Sequence, residues 1–291
     1  MINKNKIFVG ALAFCLIAGS ALAETPGAVM SMAPTATADK SSTDMQALAK
    51  ESQNPVADMA TFPLKNNFYL GEGKHKRFGY TLDIQPVYPI NIGEWNFISR
   101  TIAPVEYQPL LDKKDGGRWG LGDISETIFM SPAKPRRLFC GDFIWGLGPM
   151  ITAPSSTDKW LGAQKWTVGP SGVVVWMPGR WVLGTLLYNQ WSFAGTRSRE
   201  DVNAMTLQYF INYNFNKGWF LASSPINTFN WEAKSGERAL LPFGGGGGRV
   251  FSIGKQAFSV FAGGYYNAVR PKGDPNWQLV ATCTLLFPKH K

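Results

Sequence analysis

The chain has 291 residues, of which 45% are hydrophobic and 13% aromatic, with 31 glycines and a formal net charge of +9 at pH 7. This length suffices for one large domain, and the aromatic and glycine contents are high for an ordinary globular protein. An excess of basic over acidic residues can indicate nucleic-acid binding, but an exported protein seldom meets nucleic acid. We therefore expect no nucleic-acid partner, and we assign the positive charge to loops that face anionic lipid headgroups.

Residues 1–23 have the features of a cleaved secretory signal peptide. Lys4 and Lys6 precede an apolar core, Ile7–Ile17, and Ala21-Leu22-Ala23 matches a cleavage site. The mature chain is then expected to begin at Glu24. It contains no run of about 18 apolar residues, so no transmembrane helix is predicted.

Residues 24–56 differ in composition from the remainder of the chain, since they are rich in Ala, Ser, Thr and Met. We predict disorder to about Ser42 and a short helix over Asp44–Ser52, which Asn54-Pro55 ends. The segment is either a plug or periplasmic latch, or a tether without a role of its own.

The clearest strand pattern lies in Asn203–Phe220, where two classes of side chain alternate with a period of two. One face is wholly apolar, and the other carries mainly amides and hydroxyls. The stretch is about twice the usual length of a strand in a soluble protein. Such a strand, apolar on one face and polar on the other, is typical of a tilted bilayer crossing.

Twelve long strands are predicted between residues 57 and 291, and together they predict an all-β fold with one closed antiparallel transmembrane barrel. They are Ala57–Leu70, Arg77–Val87, Trp95–Val105, Trp119–Met130, Leu138–Ile151, Trp166–Met177, Trp181–Phe193, Val202–Phe215, Trp219–Trp231, Arg238–Ile253, Ala257–Val269 and Asn276–Phe287. Five prolines interrupt them and are expected at bulges or strand ends: Pro86, Pro104, Pro149, Pro170 and Pro225. The glycine run Gly244–Gly248 is expected at a bend or a crowded part of the wall.

Loop length alternates along the chain between short and long connections. Tyr88–Glu94, Met177–Arg180, Asn216–Gly218 and Gly254–Gln256 are short, Ser131–Arg137 is intermediate, and the connections between them are longer and more polar. Outer-membrane barrels have short periplasmic turns and longer external loops. The pattern therefore predicts a bacterial outer-membrane location with both termini in the periplasm, and with outer-membrane lipids and the barrel-assembly machinery as partners.

Eight tryptophans lie at predicted strand ends, where indole rings would form the aromatic belts of a membrane barrel. They are Trp95, Trp119, Trp166, Trp181, Trp191, Trp219, Trp231 and Trp277. An alternative interpretation is the general preference of aromatic residues for strands.

Residues typical of catalytic or metal sites are few. The two histidines, His75 and His290, lie near neither a Ser nor a Cys in a pattern typical of nucleophilic catalysis, and no Cys/His metal cluster occurs. Asp123 and Glu126 differ in phase, so they are not a paired acid and base. We expect no enzyme activity and no cofactor.

Seven polar residues are predicted to face the barrel lumen and to be candidates for solute contact: Asp83, Gln85, Arg100, Asp142, Gln190, Gln208 and Asn212. An arginine at the bilayer midplane costs about 2–4 kcal/mol on the lipid face, so Arg100 is expected inside, with Asp83 as its partner. These residues either contact a solute or brace a narrow barrel through internal ion pairs.

Several stretches resemble a known family. QNPVADM, FPLKNNF, LDIQPVYPI, SRTIAPVEYQP, WGLGPM, NQWSFAG, GWFLASSPI and YYNAVRP are similar to bacterial outer-membrane transporter-type barrels that are often mislabelled neuromedin U, and to barrel proteins annotated for the meta-pathway of phenol degradation. The resemblance covers about Gln53 to Lys289. It implies an outer-membrane barrel that admits small hydrophobic or aromatic molecules.

The sequence thus leads to a functional hypothesis with one alternative. The main hypothesis is an outer-membrane channel or uptake protein through which small solutes diffuse passively. The alternative is a non-conducting barrel with a structural or surface-interaction role in the envelope.

Overall fold

The computed structural model describes residues 36–289, and the predicted signal peptide, most of the predicted disordered linker and His290 lie outside these residues. One helix, α1 (Ala36–Ser52), precedes the strands. It begins earlier than the expected Asp44 and includes Ala36–Ser42, for which disorder was expected. No helix in residues 36–289 is long and apolar enough to cross a membrane.

Sixteen strand segments follow the helix. They are β1 (Ala60–Glu72), β2 (Arg77–Ile84), β3 (Val87–Ile92), β4 (Trp95–Pro109), β5 (Gly117–Leu121), β6 (Ile124–Pro132), β7 (Arg136–Leu138), β8 (Gly141–Ala153), β9 (Lys165–Pro178), β10 (Trp181–Gly195), β11 (Asn203–Asn214), β12 (Trp219–Ser223), β13 (Ile226–Asn230), β14 (Ala239–Ile253), β15 (Gln256–Val269) and β16 (Trp277–Phe287). A single 3-10 turn, Asn216–Gly218, joins β11 to β12.

The segments form a closed antiparallel barrel of twelve strands, which confirms the predicted fold class. Three barrel strands are interrupted, so that β2 continues as β3, β5 as β6 and β7, and β12 as β13. The first and last strands pair from Ala60–Phe287 to Leu70–Trp277, which closes the sheet. Closure removes the unpaired sheet edges that would otherwise expose backbone hydrogen-bonding groups.

Two predicted connections are partly strand. The predicted turn Tyr88–Glu94 is mostly β3, and the chain reverses only after Ile92. The predicted connection Ser131–Arg137 contains the end of β6 and the start of β7, and the reversal lies at Phe139, whose φ of 52° is left-handed. The prolines and basic residues there suggested a loop, but an irregularity between β6 and β7 accommodates them within the strand.

Prolines coincide with interruptions of the hydrogen-bond ladder. Pro86 and Pro225 separate collinear segments, whereas Pro104, Pro149 and Pro170 lie within strands. Pro149 and Pro170 face each other, and each lies where the ladder to its other neighbouring strand is broken. Proline has no backbone N–H group. It therefore fits at a position where the strand donates no backbone hydrogen bond to its neighbour.

The glycine run in β14 lies where neighbouring backbone leaves no room. A Cβ atom on Gly246 would lie 2.0 Å from the carbonyl oxygen of Ala262, whereas a Cβ atom on Gly247 would meet no atom closer than 3.7 Å. These two neighbouring positions therefore differ sharply in their tolerance of a side chain.

This difference predicts a contrast between two neighbouring alanine substitutions. Gly246→Ala should lower the free energy of unfolding by about 1–3 kcal/mol, because strand β14 must move away from β15. Gly247→Ala should change it by less than about 1 kcal/mol. The measurement is the urea midpoint of the refolded mature protein, followed by tryptophan fluorescence. Equal midpoints for the two variants would contradict this account of the wall.

Candidate functional site

The inside and outside of the barrel follow from the alternation along each strand. In β11, Thr206, Phe210 and Asn212 are buried and face inward, whereas Ile211 is 47% exposed and faces outward. The polar face predicted for this strand is therefore the inner face. All eight predicted belt tryptophans face outward and are exposed, with Trp95, Trp181 and Trp219 at the short-turn end and the other five towards the long-loop end.

A cavity of about 410 Å³ lies inside the barrel. Five of the seven predicted lumen residues line it: Asp83, Gln85, Arg100, Gln208 and Asn212. The side chains come from strands on opposite walls, so the barrel brings together positions more than 100 residues apart.

The two remaining candidates do not line this cavity. Asp142 lies at the short-turn end of β8, where its carboxylate is 3.8 Å from Arg137 Nε. Gln190 faces inward but donates hydrogen bonds to the hydroxyls of Thr152 and Thr167 at 2.7 and 2.9 Å, so it braces β8 to β10. The inward direction of both side chains was predictable from the alternation along the strand. Their positions along the barrel axis were not.

One wall of the cavity carries its charges. Lys65 lies directly opposite Asp83 in the β1–β2 ladder, and both Lys65 and Arg100 interact electrostatically with Asp83. Asn67 Nδ2 donates a hydrogen bond to the Asp83 carboxylate at 2.9 Å. Within residues 36–289, no ion pair shorter than 4.0 Å joins Asp83 to Arg100, so the direct pair expected from the sequence is replaced by a looser three-charge group.

The opposite wall of the cavity is aromatic. Phe210, Phe220, Phe261 and Tyr265 line it, and Phe220 stacks on Phe261 with ring centroids 6.3 Å apart. The cavity therefore has a charged side and a side that carries aromatic rings together with the uncharged polar residues Thr206, Gln208 and Asn212. Such a combination suits a small molecule that carries both a polar group and an apolar body.

Residues 53–59 occupy the lumen below the cavity, between α1 and β1. Gln53 and Asn214 exchange two side-chain hydrogen bonds, both 3.0 Å long. Val56 is buried in an apolar cluster with Ile98, Phe129 and residues of β8, β9, β10 and β11. We call residues 53–59 the inner segment. It closes the lumen at the short-turn end in this structure.

Helix α1 holds the inner segment from the short-turn end of the barrel. Lys50 Nζ donates a 2.8 Å hydrogen bond to the carbonyl oxygen of Gly179, and partial burial lowers the pKa of this ammonium group. Ala49 and Met59 are fully buried in a second apolar cluster with Phe220 and Leu286. The sequence predicts a helix in this region but not what the helix contacts.

The barrel wall is interrupted beside the cavity, at Ser224-Pro225. The ladder between β12–β13 and β14 is broken from Ala222–Gly246 to Thr228–Leu240. Side chains inside the barrel replace the missing partners: Tyr265 Oη accepts from the N–H of Ser224 at 3.3 Å, and Gln208 Nε2 donates to its carbonyl oxygen at 3.5 Å.

The structure does not assemble a recognisable catalytic or metal centre from the described residues. His75 lies in the loop after β1 and makes no hydrogen bond to residues 36–289. Asp123 accepts hydrogen bonds from the backbone N–H groups of Ser156, Ala163 and Gln164, so it anchors a long loop. No group of three potential metal ligands occurs in the described part of the chain.

Comparison with known proteins identifies the fold. No protein-family model and no curated protein sequence matches the chain. Among solved structures, the chain is similar to an outer-membrane channel from Pseudomonas putida F1, with a TM-score of 0.62, 15% identity, and coverage of 79% of this chain and 96% of that one. It is more distantly similar to outer membrane phospholipase A from Escherichia coli, with a TM-score of 0.42, 11% identity, and coverage of 80% and 97%. The first likeness supports the barrel fold, and the second is too weak to support an argument about activity.

The three-charge group predicts unequal costs for removing the two inward-facing aspartates. Asp83→Ala should lower the free energy of unfolding by about 1–3 kcal/mol, because Lys65 and Arg100 stay inside the barrel without their anion and Asn67 loses its acceptor. Asp142→Ala should cost less than about 1 kcal/mol, because Arg137 is fully solvated. Urea unfolding of both variants in one detergent tests this, and similar losses would show that the internal charges do not stabilise each other.

Proposed function

We propose that this protein is a bacterial outer-membrane channel that admits small amphipathic solutes, with one aromatic or apolar part and one polar part. The single observation that supports this most strongly is the internal cavity, with charges on one wall and aromatic rings on the other. The outward tryptophans and the closed ladder support the membrane location. The similar channel fold from Pseudomonas putida F1 is consistent with a channel.

We propose that the inner segment is the gate of this channel. It closes the lumen below the cavity, and its polar contacts with the barrel are few: the Gln53–Asn214 pair and the Asp58–Lys289 ion pair, with the Lys50 hydrogen bond from the helix beside it. A solute that enters from the long-loop end would reach the cavity and pass on when the segment moves aside. In this orientation the short-turn end faces the periplasm.

The rival function is a non-conducting structural barrel, and one observation favours it. The apolar cluster around Val56 lies inside the barrel at the short-turn end, and its members are at most 9% exposed. A barrel of this kind would span the membrane without admitting solutes, and the inner segment would serve only to stabilise it.

Loosening the inner segment should separate these two functions. For Gln53→Ala combined with Val56→Ala, we expect larger and more frequent single-channel steps in planar bilayers than for the unmodified mature protein. Ser52→Ala is the matched control, since its hydroxyl bonds only the carbonyl oxygen of Ala49 within the helix. Heat-modifiable migration on a gel confirms that each variant is folded. A folded double variant that conducts no better than the control would support the structural barrel.

The charges of the cavity predict its ion preference. Lys65 and Arg100 contribute two positive charges and Asp83 one negative charge, which gives a net charge of +1 (2 − 1) among the residues that line the cavity. The conducting state should therefore prefer anions, and Arg100→Gln should reduce that preference. Reversal potentials in asymmetric salt measure it, and cation preference in the unmodified protein would place the conduction path elsewhere.

Solute class is tested by uptake into liposomes that contain the folded protein. Small amphipathic aromatic acids should enter faster than sugars of equal mass, because only the former match both walls of the cavity. If aromatic solutes enter equally fast in a variant with a loosened inner segment and in the unmodified chain, the route bypasses this segment. The interrupted wall at Ser224-Pro225 would then be the next candidate path.

A further inference from the structure

An acidic residue lies on the outside of the barrel, between the two tryptophan belts. Glu126 of β6 is paired with Thr101 of β4 and with Ile151 of β8, which is 39% exposed on the outer surface. Its sequence neighbours Ser125 and Thr127 are buried inside. Among the described strands, Glu126 is the only acidic residue at an outward position between the two tryptophan belts.

Its depth places it near the middle of the wall. On β4, the opposing residue Thr101 is six residues from Trp95 at the short-turn end and six from Tyr107, which packs on Trp119 at the other end. At about 3.3 Å per residue and a tilt near 40°, this is roughly 15 Å from either belt. Neither headgroups nor bulk water reach a carboxyl group at that depth.

The carboxyl group of Glu126 is only partly satisfied by its own chain. Ser99 Oγ donates to one oxygen at 2.6 Å, and Thr101 Oγ1 donates to the other at 2.5 Å. A carboxylate has about four lone-pair sites, so acceptor capacity is left over. Hydrocarbon contains no donor, and unused polar capacity is costly there.

An unused donor lies on the same face. Tyr88 of β3 is opposite Ser99, faces outward and is 62% exposed, and its hydroxyl makes no hydrogen bond to residues 36–289. Strand spacing and rise place its Cα roughly 12 Å from that of Glu126, two strands away. The two side chains make no hydrogen bond to each other within this barrel, so both are available to a second barrel.

The wall between these two residues is shallow. The outward positions of β4 between Phe97 and Val105 hold only Ser99, Thr101 and Ala103, whereas Tyr88, Ile128 and Leu147 project on either side. Small residues let two membrane-spanning surfaces approach closely. The depression leaves space for a side chain from a neighbouring protein.

We propose that a second copy of this chain binds this face, as a twofold dimer in which Tyr88 of each copy donates to Glu126 of the other. Donor and acceptor lie on one patch, so a twofold axis between them satisfies both contacts at once, which is the requirement of a self-complementary interface. Lipid tails cannot replace the partner because they carry no donor. The proposal rests on the membrane location proposed above.

Association can be measured by energy transfer between labelled copies in liposomes over a range of protein-to-lipid ratios. Cys140 is exposed in a turn and takes the dyes in a Cys283→Ala background. We expect concentration-dependent dimers, with about tenfold weaker association for Tyr88→Phe and for Glu126→Leu. Tyr209→Phe, the same change on the outward face of β11, should leave association unchanged.

Mixing the two variants gives the decisive test, because each contact in the proposed dimer joins residues of different copies. A mixture of Tyr88→Phe and Glu126→Leu keeps one intact Tyr88–Glu126 contact in the mixed dimer, whereas neither variant alone keeps any. The mixed dimer should therefore be tighter than either homodimer. A chain that stays monomeric at every lipid ratio, dimers unaffected by Tyr88→Phe, or a mixed dimer no tighter than the homodimers would each overturn the proposal. Heat-modifiable migration and detergent dependence of each variant test folding and membrane location separately.

Discussion

The structure depends on one constraint, which is that every backbone hydrogen-bonding group in the wall needs a partner. The β1–β16 pairing meets this constraint by closing the sheet at twelve strands. Twelve strands enclose a lumen narrow enough for side chains from opposite walls to meet. Both outcomes occur here: the inward side chains around Val56 pack into an apolar cluster with the inner segment, and above this cluster the inward side chains leave a cavity.

The closed ladder also explains where charge can be placed. Lys65 and Arg100 point inward, and this is the direction in which their charges find Asp83. The result is a polar stripe on β1, β2 and β4 opposite rings carried by β11, β12 and β15. The asymmetry of the cavity is thus a consequence of folding, independent of any solute.

Strand faces were predictable from the sequence because a period of two persists over long stretches such as β11 and β16, and a one-residue slip would expose the wrong face. Strand ends were less predictable. Val87–Ile92 contains Pro89, and Arg136–Leu138 follows Lys134 and Pro135, so both stretches resembled connections although the chain continues through them as strand. The pairing register between strands could not be predicted, and the site depends on it. The alternation along each strand shows that Asp142 and Gln190 face inward, but it does not show how far along the barrel axis they lie from Asp83.

The position of residues 53–59 inside the lumen could not be predicted from the local sequence pattern. Their stability in the lumen comes from partners such as Asn214 and Phe129, which are distant in sequence and appear only after closure. The cavity also depends on distant partners at Ser224-Pro225, where the backbone ladder to β14 is broken. Tyr265 and Gln208 replace ladder partners there, so two of the polar residues that line the cavity also hold the wall together. A substitution at either position would change conduction and wall integrity together, and this is why the charges of β1, β2 and β4 are the better probes of solute passage.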